Sequence, residues 1–237
     1  MSFWQEERME QQTHKSQTAR TVDLLRTSII EARYAPGEKL RIDQLGKELD
    51  ASSGAVREAL SRLTAEGLVL AEPQRGFVVA PISRKDLEDL TEVRIDIECR
   101  CLAQTIAAGD VAWEGRLMSL QHQLRALEPS IYSPGSVEAR KFHSLHHAFH
   151  AELTSLCGNS WWHRLREQLF LQSERYRRLS GPFDEQGRDI SAEHDAIAKA
   201  AVSRDTQGAV QHMADHLRRT TEILLNSRIP FADGPRH

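Results

Sequence analysis

The stretch "SSGAVREALSRLTAEGLVLAEPQRGFVVAP", Ser52–Pro81, carries two kinds of periodicity back to back. Val56, Leu60 and Leu63 fall at helical spacing, so "AVREALSRLTAEG" reads as one amphipathic helix. Ser52 or Ser53 offers a side-chain oxygen to the free N–H groups at its start. Gly67 suits the left-handed residue that ends a helix. The pattern then changes to two β-prone runs around Pro73-Gln74-Arg75-Gly76, with Pro at the turn and Gly at the tip, which predicts a hairpin.

Working towards the N-terminus, "RIDQLGKELD" (Arg41–Asp50) predicts a short helix with Ile42, Leu45 and Leu49 on one side. "YAPGEKL" (Tyr34–Leu40) is a break, since Pro36-Gly37 is a strong turn signal. From Thr18 to about Glu31, Val22, Leu25, Ile29 and Ile30 recur at helical spacing. Three helices followed by a hairpin make a winged helix-turn-helix over residues 18–82. Residues 1–17 have no apolar h-region and read as a flexible polar tail rather than a signal peptide.

A helix that enters the DNA major groove needs a small, polar start and long donors on its outer face, where arginine can take guanine bidentately. With Val56, Leu60 and Leu63 turned inward, Ser53, Gly54, Arg57 and Ser61 face outward and Arg62 lies to one side. At the wing, Gly76 permits close backbone approach and Arg75 can reach a phosphate or a minor groove. Arg41 and Ser52 complete the candidate DNA contacts. Arg57-Glu58 and Arg62-Glu66 would solvate a surface helix in any protein; the order helix, turn, helix, wing is what favours DNA.

Beyond Pro81-Ile82 the texture changes to long helices, with candidates near 84–108, 110–128, 136–157, 160–180, 187–203 and 205–227. The breaks are Gly109-Asp110, "PSIYSPGS" (Pro129–Ser136), Gly158-Asn159 and "SGPFDEQG" (Ser180–Gly187). The expected fold is therefore mainly α: an N-terminal winged helix-turn-helix, then an all-α antiparallel bundle over 83–237. The 237 residues are 40% apolar and 27% charged, an ordinary globular balance. No run of 18 apolar residues occurs, which excludes a membrane-spanning helix. Cys99, Cys101 and Cys157 lack CxxC spacing and read as buried, reduced thiols of a cytoplasmic protein. The net charge is −3, and residues 1–81 hold 11 Lys+Arg against 12 Asp+Glu. Any DNA contact must therefore come from local arrangement, not from bulk charge.

The helical region contains "LHHAFHAEL" (Leu145–Leu153). On one helix His146 and His150 stack at i and i+4, with Leu153 and Cys157 on the same face, so that face should point inward. His194 interrupts the stripe Ile190, Ile197, Ala201, and His216 interrupts Ala209, Met213, Thr220, Ile223. Taken singly, each imidazole reads as an ordinary hydrogen-bonded residue. Four on inward stripes would be costly unless satisfied, and a divalent metal ion does that economically. Zn2+ is the expected ion, with Ni2+ as the alternative. His143 and His147 lie on neighbouring faces and are left out of the ligand set. Neutral imidazoles leave the ion's charge uncompensated, so a small carboxylic acid is the expected effector. Arg94 falls on the apolar stripe Leu87, Leu90, Ile97, Cys101; a buried guanidinium wants an anion, and Glu98 at i+4 is the partner that spacing offers. "ERYRRL" (Glu174–Leu179) reads as a solvated face from which Arg177 can also reach the cavity.

The rival class is a metal-dependent hydrolase with an appended winged helix. It needs a general base beside the metal, but no HExxH, G-x-S-x-G or P-loop occurs. Glu152 points to another face than His150, and Glu193 lies about 100° around the helix from His194. A third class is a helical protein-interaction module with structural histidines, which would show no DNA binding even at low salt.

"PGEKL", "LGKEL", "ASSGAVREALSRLTAEGLV" and "QRGFVVAPIS" together resemble the N-terminal domain of GntR-family bacterial transcription regulators. The long helices resemble that family's FCD effector domain. Many FCD domains carry D-x-x-F-H on one helix and one histidine on each of two later helices. "HHAFH" is similar, with His146 in the Asp position and His150 as the first histidine, while His194 and His216 match the other two. The resemblance implies a one-component regulator, a repressor in the expected case, that binds a palindromic operator as a homodimer. It also implies a cavity arginine on the helix that carries Arg94, so the effector's carboxylate stands beside Glu98 as the expected partner of Arg94. Departures are Ser53 where the family often has Arg, Gly54-Ala55 in place of Thr-Pro, and Asp43 in place of a DNA-contacting Arg.

Overall fold

The computed structural model describes residues 3–127, 136–179, 188–227, 229, 231 and 232, with side chains from Gln17 onward. The loop expectations over 129–135 and 180–187 lie outside the described residues. The chain divides into two compact units between Ser83 and Arg84.

The first unit runs α1 (Phe3–Ile30), β1 (Lys39–Leu40), α2 (Ile42–Glu48), α3 (Ser53–Ala65), β2 (Val69–Glu72) and β3 (Gly76–Val79). The helix begins at Phe3, where a polar tail over 1–17 was expected; no Pro or Gly interrupts residues 1–30, and Glu, Gln, Arg and Met there are good helix formers. Val22, Leu25 and Ile29 of α1 bury against Val56, Ala59, Leu60 and Leu63 of α3, with Leu40, Leu45, Leu68, Val69 and Val79 closing the core. Fully burying Leu60 or Leu63 contributes about 1.5–3 kcal/mol each. Arg26 of α1 grips Glu66 with two hydrogen bonds of 2.8 and 2.7 Å, tying the C-terminal end of α3 to α1.

The hairpin closes on the three residues Pro73–Arg75, with Glu72 opposite Gly76. Gln74 (φ 64°) occupies the left-handed tip, and Gly76 (φ 82°) opens β3 instead of sitting at the tip. A third strand, β1, pairs antiparallel with β3 (Lys39↔Val78, Leu40↔Phe77), giving the sheet order β1-β3-β2. Two residues are too few to show alternation, so only a turn was legible there. Ala232 N donates to Ile82 O at 2.8 Å, so the last described residues join this unit rather than the helical one.

The second unit contains, among the described residues, α4 (Arg84–Ala108), α5 (Val111–Leu127), α6 (Val137–Leu153), α7 (Ser160–Leu179), α8 (Ile190–Val202) and α9 (Thr206–Asn226). Ser136, Asp189 and Asp205 cap α6, α8 and α9 by accepting from the N–H groups of Ala139, Ala192 and Gly208. Leu102, Ile106, Trp113, Leu117, Phe142, Phe149, Ile197, Ala201 and Met213 are buried in one core. α4 packs on α7 and α9, and α8 packs on α5 and α9. α6 stops at Leu153, four residues before the expected end: beyond it the backbone turns with i−3 bonds, Thr154 N to Ala151 O and Ser155 N to Glu152 O, each 3.2 Å. No described helix is long and apolar enough to cross a membrane.

Candidate functional site

Two surfaces carry the candidate residues, one in each unit. In the first, all eight residues named from the sequence (Arg41, Ser52, Ser53, Gly54, Arg57, Arg62, Arg75 and Gly76) are exposed. α3 buries Ala55, Val56, Ala59, Leu60 and Leu63, which turns Ser53, Gly54, Arg57 and Ser61 to solvent. Ser52 is the N-cap, its Oγ accepting from Ala55 N at 3.2 Å. A Cβ at Gly54 would meet nothing nearer than Ser52 Oγ at 4.0 Å, so glycine there serves no internal packing and leaves a flat surface. Arg62 pairs with Glu58 at 2.6 Å, Arg75 pairs with Glu72 at 2.6 Å, and Arg57 makes no ion pair among the described residues. Arg41 stands at the start of α2 in extended conformation with no side-chain cap bond.

In the second unit α6 presents His146 and His150, α8 presents His194 and α9 presents His216, all between 0 and 6% exposed. One ring nitrogen from each lies within 4.8 Å of all the others. Metal–nitrogen bonds of about 2.0–2.1 Å hold two donors on one ion roughly 3.3–4.2 Å apart, so sub-ångström inward shifts complete such a set. Both nitrogens of His150, Nδ1 of His146 and Nε2 of His194 are buried with no hydrogen-bond partner. Burial, then the neighbouring cations and imidazoles, keeps His146, His150 and His194 well below 6.5. His216 is also lowered by burial, against the opposing hydrogen bond to Glu193. Neutral imidazole is the form a metal ion needs. The donor set and its orphaned nitrogens therefore fit a divalent transition metal.

An ion-pair shell surrounds the four rings. The Glu98 carboxylate, fully buried, accepts from Arg94 Nε (3.3 Å) and Arg166 Nε (3.2 Å), and both guanidinium groups lie 5.1 Å from the Phe170 ring centre. Arg94 also donates to Ser173 Oγ at 2.7 Å. Burial would raise the Glu174 carboxyl, but Arg177, bonded at 2.6 and 2.5 Å, outweighs it and brings it to about 2. Glu193 is likewise raised by burial and brought to about 2 by Arg188 and His216. His143 accepts from Arg177 Nη2 at 2.8 Å and is pushed down to about 3 by burial and that cation. A cavity of about 30 Å³ lies against the rings, lined by Arg94, His146, Ser173, Arg177, His216 and Thr220 among others. Arg94 thus meets both expected surroundings, Glu98 and the cavity.

Arg166 and Arg188 were missed. Arg166 precedes Phe170 by four residues, so a cation on an inward stripe was its available signal. Arg188 has no comparable periodic mark. Cys101 and Cys157 are buried free thiols, and Cys99 is half-buried.

Known proteins agree with this two-part geometry. Residues 17–79 match the model of bacterial regulatory proteins, gntR family, and residues 89–219 match that of the FCD domain. The chain is 35% identical over 204 residues to the HTH-type transcriptional regulator BphR of Paraburkholderia xenovorans (strain LB400), covering 86% of this chain and 83% of that one. It is 32% identical over 204 residues to the HTH-type transcriptional repressor GlaR of Escherichia coli (strain K12), covering 84% and 92%. In fold it is similar to E. coli McbR/YncC, with a TM-score of 0.74 at 19% identity over 88% of this chain and 97% of that one. A GntR regulator of Rhodococcus sp. RHA1 gives 0.71 at 23% identity over 90% and 100%. These relatives regulate transcription, which removes the hydrolase alternative. Matched over both units by these family models and at 35% identity by a curated regulator, this chain is a member of the GntR family: a DNA-binding transcription regulator, not an enzyme.

Proposed function

We propose that this is a cytoplasmic repressor whose FCD unit holds a divalent metal ion, Zn2+ or Ni2+, and senses a small carboxylic acid beside it. The observation that carries the metal reading is the set of buried ring nitrogens without partners in His146, His150 and His194. Unpartnered buried polar groups cost free energy, and a metal ion is the single ligand that answers several at once. When bound, the ion supplies Lewis-acid attraction for an anionic donor at its open positions.

The chain's own residues favour that anion. Arg94, Arg166, Arg177 and Arg188 stand against Glu98, Glu174 and Glu193 around the four neutral rings, and Arg178, Arg219 and Glu167 extend the same network, so guanidinium groups outnumber carboxylates before any metal is counted. Arg94 and Arg177 both line the cavity and are the residues proposed to receive the effector's carboxylate, with Ser173 and Thr220 as hydroxyl partners. The present cavity holds a water or two. A larger acid therefore requires Arg177 to leave Glu174, which gives the ligand a differential hold on two arrangements. On DNA, Arg57, Ser53 and Gly54 would read base edges, while Arg41, Arg62 and Arg75 would grip phosphate or the minor groove. Two such helices on two half-sites imply a homodimer and a palindromic operator. The name of GlaR as a repressor supports the sign of regulation.

Metal content of the untagged protein, beside a His150→Ala/His194→Ala double variant, tests the centre. About one ion per chain, lost in the double variant, is expected. No metal after incubation and desalting would reduce the histidines to the lining of an anion pocket. Carboxylates that leave melting temperature, metal spectra and DNA affinity unchanged would remove the effector assignment.

A further inference from the structure

The four imidazoles are not equivalent. His150 has neither nitrogen bonded, and His146 and His194 each keep one buried nitrogen without a partner. His216 alone among them faces a carboxylate at hydrogen-bond distance: its Nδ1 lies 2.8 Å from Glu193 Oε2. Glu193 is in turn clamped bidentately by Arg188, with Nε on Oε1 at 2.8 Å and Nη2 on Oε2 at 2.5 Å. Arg188 Nη2 reaches on to the His216 carbonyl at 3.1 Å, and Arg219 approaches Oε1 at 3.6 Å from outside. A carboxylate held this way by guanidinium is ionised and can only accept. The short contact therefore requires a proton on His216 Nδ1, which leaves the lone pair on Nε2. The 3.3 Å approach of Arg188 Nη2 to the same Nδ1 is then no hydrogen bond, since both groups carry protons.

We propose that Glu193, clamped by Arg188, is a positioning residue that fixes His216 as the Nδ1–H tautomer and turns its Nε2 lone pair towards the other three rings. This rests on the metal-centre reading above and deepens it. His216, whose ring centre lies 4.8 Å from that of His194 and 5.4 Å from that of His150, is the pre-oriented donor around which the unconstrained rings adjust. The arrangement also assigns Glu193 a place in the site although it points away from His194, its neighbour in sequence. Carboxylates that orient a ligating imidazole in this way commonly govern metal affinity by about 10–100-fold.

The test uses the full-length protein, its Glu193→Ala and Glu193→Gln variants and a His216→Ala control. Zn2+ affinity is measured in competition with a chromophoric chelator. The His216 tautomer is read in the metal-free protein by long-range 1H–15N NMR of the imidazoles. Glu193→Ala should bind Zn2+ about 10–100-fold more weakly at unchanged stoichiometry and lose the single Nδ1–H tautomer. Glu193→Gln keeps an oxygen acceptor and should recover much of both, which a merely structural role would not produce. Wild-type affinity with the Nδ1–H tautomer intact in Glu193→Ala would overturn the inference while leaving the metal centre standing. A wild-type protein that takes up no Zn2+, as His216→Ala also would not, overturns the centre and the positioning role together.

Discussion

Arg57 and Arg62 lie five residues apart on α3, and their surroundings differ in a way that separates the DNA contacts proposed for them. Arg62 is held by Glu58 at 2.6 Å in an exposed pair, the kind worth about 0.2–1 kcal/mol, so it can be released cheaply to a phosphate. Arg57 is exposed with no ion pair among the described residues and stands on the outer face near the start of α3, where base edges come within reach. Arg57→Ala should cost about 1–3 kcal/mol on an operator obtained by selection and should relax its sequence preference. Arg62→Ala should weaken all DNA alike and reduce the salt slope by about 1. Anisotropy titrations over a salt series separate the two; equal losses on operator and scrambled DNA for Arg57→Ala would make it another phosphate contact. The buried imidazoles give a second prediction at this scale. Burial lowers their folded values below 6.5, so the unfolded chain takes up protons first as pH falls. The metal-free unit should therefore keep its full stability above 6.5 and lose up to about 1.4 kcal/mol per histidine per pH unit below it. Glu174 and Glu193, both brought down from 4.5 to about 2, keep their full contribution above 4.5 and add to the loss only as pH falls below that value. Urea midpoints at pH 7.5 and 5.5 with chelator present should differ sharply, and an unchanged midpoint would mean the rings are solvated.

α3 is the element in which stability and recognition meet at one residue. Ser52 caps the helix through its Oγ and is also an exposed candidate for DNA contact. Ser52→Ala should lower the stability of the winged unit by about 1 kcal/mol. Ser52→Asp keeps a capping oxygen and should preserve stability, but its negative charge at the DNA face should sharply weaken operator binding. Thermal melts and DNA titrations on both variants tell cap from contact; if Ser52→Asp bound DNA like the wild type, Ser52 would be a cap alone. The same helix explains why so much of this unit was legible. Its start, stripe and stop are local signals, down to Leu68 N bonding Leu63 O and Gly67 N bonding Thr64 O around Gly67 at φ 72°. β1 was not legible because its only evidence is pairing with β3, some forty positions away. In the helical unit the histidines announced themselves by falling on apolar stripes, as Arg94 did. Their partners did not: Glu193 bonds His216 on the next helix rather than His194 beside it, and Arg166 meets Glu98 across 68 positions. Periodicity reports which face a residue takes, not which side chain from another helix meets it there.

At the scale of the whole molecule, a repressor of the proposed kind has two ligands, DNA and the acid, and thermodynamics binds their affinities together. If the acid weakens operator binding by some factor, saturating operator must weaken acid binding by the same factor, typically about 5–150-fold. The site offers a specific source for that factor. Arg177 is held by Glu174 through bonds of 2.6 and 2.5 Å and also donates to His143, so an acid that recruits Arg177 must break this arrangement. Acid and operator are coupled through it to the extent that this arrangement is favoured more in one of the two states than in the other. Arg177→Lys keeps the charge but loses the planar fork that spans Glu174 and His143. It should bind the acid more weakly and shrink the coupling factor, while DNA affinity without acid stays near that of the wild type. Calorimetric titration of the acid with and without operator, beside operator titration with and without acid, gives the factor twice by independent routes. Agreement of the two in the wild type, and a smaller common value in Arg177→Lys, is the expected outcome. An acid that binds with equal affinity whether or not operator is present would have no power over repression, however tightly the arginines held it.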